Sequence, residues 1–332
     1  MPPPRPCILV VGCGSIGERH VRTFLSTGRT GIVACDQHPA MRQQITQRYD
    51  VEAVADWRTA LQDPTITGAV IATPAPLHVE IATACLAAGR DVLIEKPLSI
   101  DFTGVEHLLA ARDHSRRFAA VAYVLRFVPA LQAARQFLLE GSFGPIRHVA
   151  VNTGQHFPFF RPAYRSIYYH DRAQGGGAIQ DALTHMANTV EWVVGPTCRV
   201  SCDAAHQVLD GVTVEDTVNA MARNGTALVS YALNQFQAPD ETRLEFHADT
   251  GSVRVELNAQ RWGILPRGQA SWTWHPAPVA DRDQLFVAQA TAFLDGCDGR
   301  PTALCTLEEG IQTLRFNLAA LRSWNEGRSV AP

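Results

Sequence analysis

Three side chains that could exchange a proton with a substrate stand in two distant segments of the sequence. In the first segment, Asp91–Ser99, three apolar residues precede Glu-Lys-Pro, so that Lys96 follows a predicted buried strand. In the second, Asp181 and His185 are four residues apart and would share one face of a helix. Ammonium, carboxylate and imidazole groups are the usual agents of proton transfer near neutral pH.

Each segment also has an ordinary structural interpretation. Glu95 and Lys96 could form an ion pair on a surface loop, and Asp181 could stabilise a helix start and pair with the nearby histidine. The surface-loop interpretation is opposed by Pro97, which ends the strand at the edge where parallel sheets place ligands. In the second segment, Gly175–Gly177 precede Asp181 and would let another group approach the helix start closely. The other motifs of the chain help to choose between these interpretations.

A glycine-rich turn near the N-terminus is the first of those motifs. The apolar strand Cys7–Val11 leads directly into G-x-G-x-x-G, and a helix is expected from there to about residue 26. In this pattern Gly12 permits a tight turn, Gly14 lets a pyrophosphate approach the backbone, and Gly17 lets the helix pack on the strand. The helix start directs free amide groups at the phosphates of a dinucleotide. The predicted phosphate-binding residues are Gly12, Gly14, Ser15, Ile16 and Gly17.

An acidic residue follows at the spacing expected for a contact to the adenosine ribose. Gly31–Cys35 is predicted as the second strand, and Asp36 ends it, 19 residues after Gly17. A carboxylate there accepts hydrogen bonds from the ribose hydroxyls and repels a 2′-phosphate, which favours NAD over NADP. Asp36 could instead cap a helix or form a turn before Pro39. The preceding glycines favour the ribose role.

Strands and helices alternate through residues 1–125. Further strands are predicted at 68–72, 91–95 and 118–125, with helices at 41–49, 78–88 and 104–115. This alternation predicts the α/β class, with a doubly wound parallel sheet of the Rossmann type as an N-terminal dinucleotide-binding domain. Thr73 and its neighbours follow the strand at 68–72, at the edge where the dinucleotide should lie.

The remainder of the chain, residues 126–332, has a different pattern. A helix is predicted at 129–140, and long alternating strands begin at Ile146. Asn224-Gly225 predicts a hairpin with a type I′ turn, and Asp249-Thr250-Gly251 predicts a second hairpin. We therefore expect an α+β domain, built on a large, mostly antiparallel open sheet, for substrate binding and oligomerisation. An open sheet often pairs with a copy of itself, which predicts a homodimer or homotetramer through this sheet.

Four motifs together resemble the Gfo/Idh/MocA family of NAD(P)-dependent sugar and cyclitol oxidoreductases. They are V-V-G-C-G-S-I-G-E-R-H, I-A-T-P-A-P-L-H, A-A-G-R-D-V-L-I-E-K-P-L-S and G-G-G-x-x-x-D-x-x-x-H. The resemblance implies that Lys96 lies at the nicotinamide and substrate, and that Asp181 and His185 bind sugar hydroxyls and serve the proton transfer. It adds five residues to the expected cofactor site: Thr73, Pro74, His78, Glu95 and Lys96.

The same resemblance places substrate-determining residues in the stretch 155–171, which is rich in aromatic residues, arginines and prolines. Aromatic faces and guanidinium groups suit a polyhydroxylated ring. We take Tyr164 and Arg165 as substrate candidates beside Lys96, Asp181 and His185. A loop packed between subunits would explain the stretch equally well.

The expected reaction is oxidation of a secondary alcohol, in which a hydride leaves for the nicotinamide and a proton leaves the oxygen. His185 is the expected base, Lys96 would stabilise the developing alkoxide, and Asp181 would orient the histidine or bind a neighbouring hydroxyl. The roles of Lys96 and His185 could be exchanged. Two alternatives are a redox-neutral enzyme that oxidises its substrate transiently, for glycoside cleavage or epimerisation, and a non-catalytic NAD sensor.

Composition and charge argue against other classes of protein. The formal net charge of −3 gives no electrostatic signal for nucleic acid or an anionic membrane. No run approaches the ~18 apolar residues of a membrane span, and the N-terminal M-P-P-P-R-P lacks an apolar signal core, so we expect a cytoplasmic protein. The eight cysteines are scattered without a C-x-x-C pair, which favours reduced, mostly buried thiols and no metal site.

Overall fold

The computed structural model describes residues 6–332, which divide into two compact units. The first unit extends to Phe127 and includes Asp281–Gly310, and the second consists of Val128–Ala280 and Ile311–Pro332. Residues 1–5, which belong to the segment without an apolar signal core, lie outside the described residues. Within 6–332 no helix combines the length and apolarity that a membrane span requires.

The first unit ends close to the predicted boundary at residue 125, but the chain also returns to this unit near its end. The helix Arg282–Cys297 packs there on the first helix of the chain, with the rings of Phe24 and Phe293 5.9 Å apart. The strand Cys305–Thr306 then pairs antiparallel with Ala119–Val121. Such contacts between distant segments leave no local pattern in the sequence. For this reason the sequence predicts a single second domain over residues 126–332.

The first unit is built on a seven-stranded sheet. Its parallel strands are β1 Cys7–Val11, β2 Gly31–Cys35, β3 Glu52–Val54, β4 Ile66–Ile71, β5 Asp91–Ile94 and β6 Ala119–Val121. They lie in the order β6-β5-β4-β1-β2-β3, and Cys305–Thr306 is the edge strand beside β6. The strand order reverses between β1 and β4, and sheets of this kind bind ligands outside the carboxyl ends at such a reversal. The predicted Rossmann-type α/β sheet is confirmed.

Four helices of the first unit follow the prediction, whereas the short helix Trp57–Ala60 and the strand Glu52–Val54 were not predicted. The helices are α1 Ser15–Ser26, α2 Pro39–Tyr49, α3 Trp57–Ala60, α4 His78–Ala87 and α5 Val105–Ser115. The strand predicted over 118–125 ends at Val121, and Val124–Phe127 forms a 3-10 turn. The apolar run continues because Tyr123 and Phe127 are buried outside the sheet, and an apolar run alone does not distinguish the two arrangements.

The second unit contains an eight-stranded sheet in which only β7 and β10 pair in parallel. Its strands are β7 Ile146–Gly154, β8 Thr197–Ala205, β9 Thr217–Asn224, β10 Ala227–Asn234, β11 Glu241–Ala248, β12 Gly251–Glu256, β13 Arg261–Pro266 and β14 Thr273–Pro276. The order is β14-β13-β12-β11-β7-β10-β9-β8. The predicted large, mostly antiparallel open sheet is confirmed.

Helices bury one face of this second sheet. They include α6 Pro129–Leu139, α8 Thr184–Val194 and the later turns of Leu307–Glu326, whereas the short α7 Phe157–Phe160 lies in the loop after β7. Tyr231 of β10 meets Phe316 of the last helix with the rings 5.6 Å apart. Met221 and Leu228, on β9 and β10, are 67% and 50% exposed. The alternation of buried and exposed residues along β9 and β10 is that of a sheet with one covered face.

The hairpin predicted at Asn224-Gly225 is present, but its turn differs from the prediction. Asn224 pairs with Ala227, so the loop is Gly225-Thr226, and only Gly225 has a positive φ, +58°. This is the pattern of a type II′ turn rather than type I′. Asn224 is a buried strand residue whose Nδ2 donates to the carbonyl of Gly195 at 2.8 Å. The hairpin predicted around residues 249–251 is confirmed.

Candidate functional site

The glycine-rich turn of the first unit has the geometry that the sequence predicts. Gly12 has φ +92°, and a side chain there would lie 2.6 Å from the carbonyl oxygen of Ala72. A side chain at Gly17 would lie 1.7 Å from the carbonyl oxygen of Gly12. A Cβ at Gly14, by contrast, would meet no described residue within 4 Å apart from its two chain neighbours. Gly12 and Gly17 therefore serve the packing of the turn, whereas Gly14 borders open space.

The start of α1 faces this open space without a side-chain cap from the described residues. Its first-turn amides, which include those of Ser15 and Ile16, are the groups that bind phosphate at helix starts. The Oγ1 of Thr73, at the carboxyl end of β4, is also buried with no hydrogen-bond partner among the described residues. An uncapped helix start, an open approach at Gly14 and an unsatisfied hydroxyl at the sheet edge all fit a bound dinucleotide.

Asp36 follows β2 and lies against the glycine-rich turn. Its Oδ2 accepts a hydrogen bond from the amide of Cys13 at 2.8 Å, and its Oδ1 accepts one from the amide of His38, also at 2.8 Å. The bond from His38 corresponds to the turn-forming role that the sequence left open for Asp36. The bond from Cys13 joins the carboxylate to the glycine-rich turn, so the two interpretations of Asp36 are compatible.

The two thiols beside Asp36 are inert at neutral pH. Burial, and then the negative charge of Asp36, raise the pKa of Cys13 to about 12 and that of Cys35 to about 11. Neither sulfur is a thiolate nucleophile under those conditions. All eight cysteines are free, and only Cys198 is exposed, as expected for reduced and mostly buried thiols.

His78 connects the carboxyl ends of β4 and β5. Its Nε2 lies 2.8 Å from the carbonyl oxygen of Thr73, and its Nδ1 lies 3.0 Å from that of Pro97. The ring is buried, and this burial lowers the pKa of His78 in spite of the two carbonyl contacts. Both ring nitrogens face backbone carbonyl oxygens, of which a neutral ring can donate to only one, and the expected contact of His78 with the cofactor stays a prediction. A motif cannot show whether a histidine faces the ligand or supports the turns around it.

The Glu-Lys-Pro turn after β5 is not an exposed loop. Glu95 is only 7% exposed, its Oε1 lies 2.7 Å from Nε2 of His20, and its Oε2 accepts a hydrogen bond from the amide of Lys96 at 3.1 Å. Lys96 is half-buried, and its peptide bond to Pro97 is cis. The interpretation of Glu95 and Lys96 as a solvated surface ion pair is therefore wrong.

In the second unit, Asp181 lies in a π-helical turn, Ile179–Leu183, that leads into α8. The helix predicted from Asp181 onward thus begins two residues earlier. Single π-helical turns occur frequently at functional sites. The following helix is fixed by a buried hydrogen bond in which Nδ2 of Asn317 donates to Oγ1 of Thr184 at 2.9 Å.

The glycines before this turn permit the close approach that the sequence predicts. A side chain at Gly176 would lie 2.3 Å from the carbonyl oxygen of Tyr169, and one at Gly177 would lie 2.5 Å from Oε1 of Glu215. Glu215 is fully buried, and its Oε1 accepts a hydrogen bond from the amide of Ile179 at 3.0 Å. The approaching group is therefore a carboxylate that caps the helix carrying Asp181 and His185.

Tyr168 contacts one of the predicted site residues, although no motif in the sequence singles it out. Its hydroxyl donates a hydrogen bond to Oδ1 of Asp181 at 2.5 Å, and the residue is 38% exposed. The aromatic density of 155–171 was the only signal for it. Tyr168 begins the first of two 3-10 turns, Tyr168–His170 and Arg172–Gln174. The spacing between Tyr168 and Asp181 therefore matches neither the period of a helix nor that of a strand.

The two substrate candidates from that stretch both contact the segment around Asp210. Tyr164 is 1% exposed, and its hydroxyl donates to the carbonyl oxygen of Asp210 at 2.6 Å. Arg165 lies over the ring of Tyr164, 4.8 Å from its centroid, and donates to the same carbonyl at 2.8 Å. Both residues anchor the 155–171 loop to the segment around Asp210, and their contact with a substrate stays a prediction.

Comparison with known families identifies both halves of the chain. Residues 7–123 match the oxidoreductase family GFO_IDH_MocA, described by its NAD-binding Rossmann fold, and residues 131–254 match the GFO/IDH/MocA C-terminal domain. The chain belongs to the GFO/IDH/MocA oxidoreductase family. The resemblance drawn from the four sequence motifs is thereby confirmed, and the glycine-rich turn lies in an NAD-binding domain.

Individual members of the GFO/IDH/MocA family show moderate similarity. The inositol 2-dehydrogenase of Acidothermus cellulolyticus is 29% identical over 57% of this chain and 54% of its own length. A putative UDP-kanosamine synthase oxidoreductase subunit of Amycolatopsis mediterranei is 32% identical over 74% of this chain and 62% of its own. The chain thus spans little more than half of these relatives.

A solved structure of levoglucosan dehydrogenase, in complex with NADH and levoglucosan, matches the fold over nearly its whole length. It covers 98% of this chain and 99% of its own, with a TM-score of 0.87 and 20% sequence identity. At this identity the similarity establishes the fold alone.

Proposed function

We propose that this protein is an NAD-dependent dehydrogenase that oxidises a secondary alcohol of a sugar, glycoside or cyclitol. The proposal rests above all on the uncapped start of α1, which faces open space at Gly14 with Asp36 against the same turn. Family membership supports the reaction class. Relatives named inositol 2-dehydrogenase and levoglucosan dehydrogenase support a polyhydroxylated substrate.

In this proposal, different residues of the first unit bind different parts of the cofactor. The turn from Gly12 to Gly17, with the amides of Ser15 and Ile16, would hold the pyrophosphate, and Asp36 would accept from the adenosine ribose. Thr73, Pro74 and Glu95 line the carboxyl ends of β4 and β5, where the nicotinamide end would lie. Bound NAD supplies the hydride acceptor, and the chain supplies position and proton transfer.

Lys96, Asp181 and His185 would act on the reacting alcohol. An alcohol holds its proton tightly at neutral pH, so a base must remove it as the hydride leaves. We assign that base to His185 and the stabilisation of the developing alkoxide to Lys96. Asp181, held at Oδ1 by Tyr168, would bind a neighbouring hydroxyl or orient the histidine.

A turnover assay separates this function from its alternatives. The full chain would be mixed with NAD or NADP and a panel of alcohols that includes myo-inositol, levoglucosan, glucose and glycosides, and reduced cofactor would be followed by absorbance. A continuous rise supports a dehydrogenase. Formation of no more than one equivalent per enzyme, with a changed sugar product, would indicate the redox-neutral reaction. Binding of NAD without any reduction across the panel would indicate a sensor.

We also propose a homodimer or homotetramer that forms through the open face of the second sheet. The exposed Met221 and Leu228 on adjacent strands support this, because apolar side chains of this size are usually covered in an assembly. Sedimentation of the full chain would show the oligomeric state, and a monomer at micromolar concentration would contradict the proposed dimer or tetramer.

We also propose a cytoplasmic location, because the eight free thiols suit a reducing compartment.

Cofactor preference gives the first prediction. Asp36→Asn should increase the use of NADP relative to NAD, because it removes the charge that repels a 2′-phosphate. The amide retains an oxygen that can accept from Cys13. Asp36→Ala should in addition weaken NAD binding, since the turn loses that hydrogen bond. The measurement is kcat/KM for both cofactors, and equal use of NAD and NADP by the unaltered protein would disprove the role of Asp36.

The second prediction concerns Tyr168. Tyr168→Phe should lower kcat/KM by about tenfold, because a hydrogen bond to a charged group contributes about 1.5 kcal/mol or more and Asp181 would lose it. Tyr164→Phe is the matched control, since it removes a hydroxyl bound to the Asp210 carbonyl. It should lower the melting temperature with little loss of turnover. The opposite ranking of the two variants in turnover would restore Tyr164 as the substrate residue.

A further inference from the structure

A buried pair of His20 and Glu95 adjoins the Glu-Lys-Pro turn, and neither the family match nor the proposed mechanism uses it. His20 lies on α1, one turn beyond the glycine-rich segment, and its Nε2 is 2.7 Å from Oε1 of Glu95. The two residues are 1% and 7% exposed. Water therefore cannot readily replace either partner, and the contact is a fixed part of the first unit.

Glu95 carries a negative charge in this position. Burial alone raises the pKa of a carboxyl group, but the hydrogen bond and electrostatic attraction of His20, followed by the charge of Lys96, outweigh it, so the pKa of Glu95 is below its ordinary value. An ionised carboxylate only accepts hydrogen bonds, so Nε2 of His20 must donate. The other ring nitrogen, Nδ1, is buried without a hydrogen-bond partner among the described residues. The contact with Glu95 is therefore the one hydrogen bond that the His20 ring makes among the described residues, and Nε2 is its donor.

The pair connects two parts of the proposed cofactor site. Oε2 of Glu95 accepts a hydrogen bond from the backbone amide of Lys96 at 3.1 Å, so His20, Glu95 and Lys96 form a continuous series of contacts. The ring of His20 is held in turn by aromatic neighbours, with the Phe286 ring edge-on at 5.4 Å. The helix that would hold the phosphates is thus joined to the lysine that would face the alcohol.

We propose that His20 is a positioning residue for Lys96. Through Glu95 it fixes the backbone at the lysine and keeps a negative charge beside the lysine ammonium. A carboxylate next to an ammonium favours its protonated form, which is the form that can donate to a developing alkoxide. This inference rests on the role proposed above for Lys96, and it adds His20 to the residues on which the reaction depends.

Two single variants separate positioning from packing. His20→Phe keeps an aromatic ring between Phe24 and Phe286 but removes the donor, whereas His20→Gln keeps an N–H donor. With the panel alcohol that the unaltered enzyme oxidises fastest, His20→Phe should lower kcat by about 10–100-fold, the usual loss when a residue that orients an active group is removed. NAD affinity should stay near its original value. His20→Gln should recover most of the lost turnover.

The pH profile gives a readout that a packing role would not change. Without His20, burial raises the pKa of Glu95, and the carboxyl group takes up a proton. Lys96 then loses its negative neighbour, so the limb of the pH–rate profile that depends on Lys96 should move to lower pH in His20→Phe. This direction is the same whether Lys96 donates to the alkoxide or acts as the base, because in both cases the charged lysine has lost a stabilising charge.

A double variant provides the decisive comparison. Exchanging both partners for apolar residues, as in His20→Phe with Glu95→Met, removes the buried charge and should restore the melting temperature that His20→Phe loses. Turnover should stay low, because the support of Lys96 is still absent. Thr23→Val is the matched control on the same helix. It removes a buried hydroxyl that donates within α1, to the carbonyl of Arg19 at 2.8 Å, and should leave kcat and the pH profile unchanged.

The outcomes distinguish failure of this inference from failure of the proposed function. Normal turnover in His20→Phe, or recovery of turnover together with stability in the double variant, would show that the pair is only structural. If Lys96→Ala were inactive in the same assay, the proposed function would still stand. If Lys96→Ala turned over normally, the assignment of the lysine would be wrong, and the role of His20 would be overturned with it.

Discussion

Lys96→Ala and His185→Ala should each lower turnover by about 10²–10⁴-fold, the usual loss for a general acid–base group. Without Lys96, no ammonium stabilises the developing alkoxide, and without His185, no base takes the alcohol proton. NAD affinity should change little in either variant, because we assign the phosphates and the ribose to the glycine-rich turn and Asp36. Steady-state rates and NAD titrations of the same preparations measure both effects.

The double variant tests whether the two residues serve the same alcohol. Residues that act as a unit lose much less together than the product of their single losses. We therefore expect Lys96→Ala with His185→Ala to be only slightly slower than the slower single variant. A loss equal to the product would mean that the two groups act in separate steps, which contradicts the proposed mechanism.

The pH dependence of oxidation should identify the base. The rate should rise with pH across the range in which a histidine loses its proton, because only the neutral imidazole can accept one. This limb should be absent from His185→Ala. A limb that persists there and disappears from Lys96→Ala would exchange the two roles, although coupled titration requires both variants for the assignment. A His185→Ala enzyme with near-normal turnover would falsify the choice of His185 as base.

Local patterns in the sequence predicted the parts of the fold that depend on neighbouring residues. The glycine-rich turn is an example, since a positive φ at Gly12 and close packing at Gly17 are requirements of the turn itself. The helix that carries His185 is another, because apolar residues recur along α8 at a helical period, although the helical conformation begins two residues before Asp181. Both features are fixed within a few residues of chain, so the sequence carries them directly.

Contacts between distant segments could not be predicted in the same way. The return of Asp281–Gly310 to the first unit depends on how Phe293 fits against Phe24, which no local pattern records. Tyr168 reaches Asp181 through two 3-10 turns, so its spacing matches neither a helix nor a strand. The partner of Glu95 was missed for the same reason, since His20 lies 75 residues earlier in the chain.

Gly14→Val should give a folded protein that does not bind NAD measurably. A Cβ at Gly14 meets no described residue within 4 Å apart from its chain neighbours, so we expect the protein to accommodate the substitution. The same open space is where the pyrophosphate must approach the backbone, and the branched side chain would occupy it. Circular dichroism and a thermal scan would establish the fold, and calorimetry or fluorescence titration would measure NAD binding.

Gly17→Ala is the contrasting variant, because its Cβ would lie 1.7 Å from the carbonyl oxygen of Gly12. The turn and α1 would have to separate, so we expect loss of stability first and loss of NAD binding as its consequence. The two glycines thus make opposite predictions: Gly14→Val loses the cofactor and keeps the fold, whereas Gly17→Ala loses the fold. Normal NAD affinity in a folded Gly14→Val protein would show that this turn does not hold the phosphates, and the assignment of the cofactor site in the first unit would then be wrong.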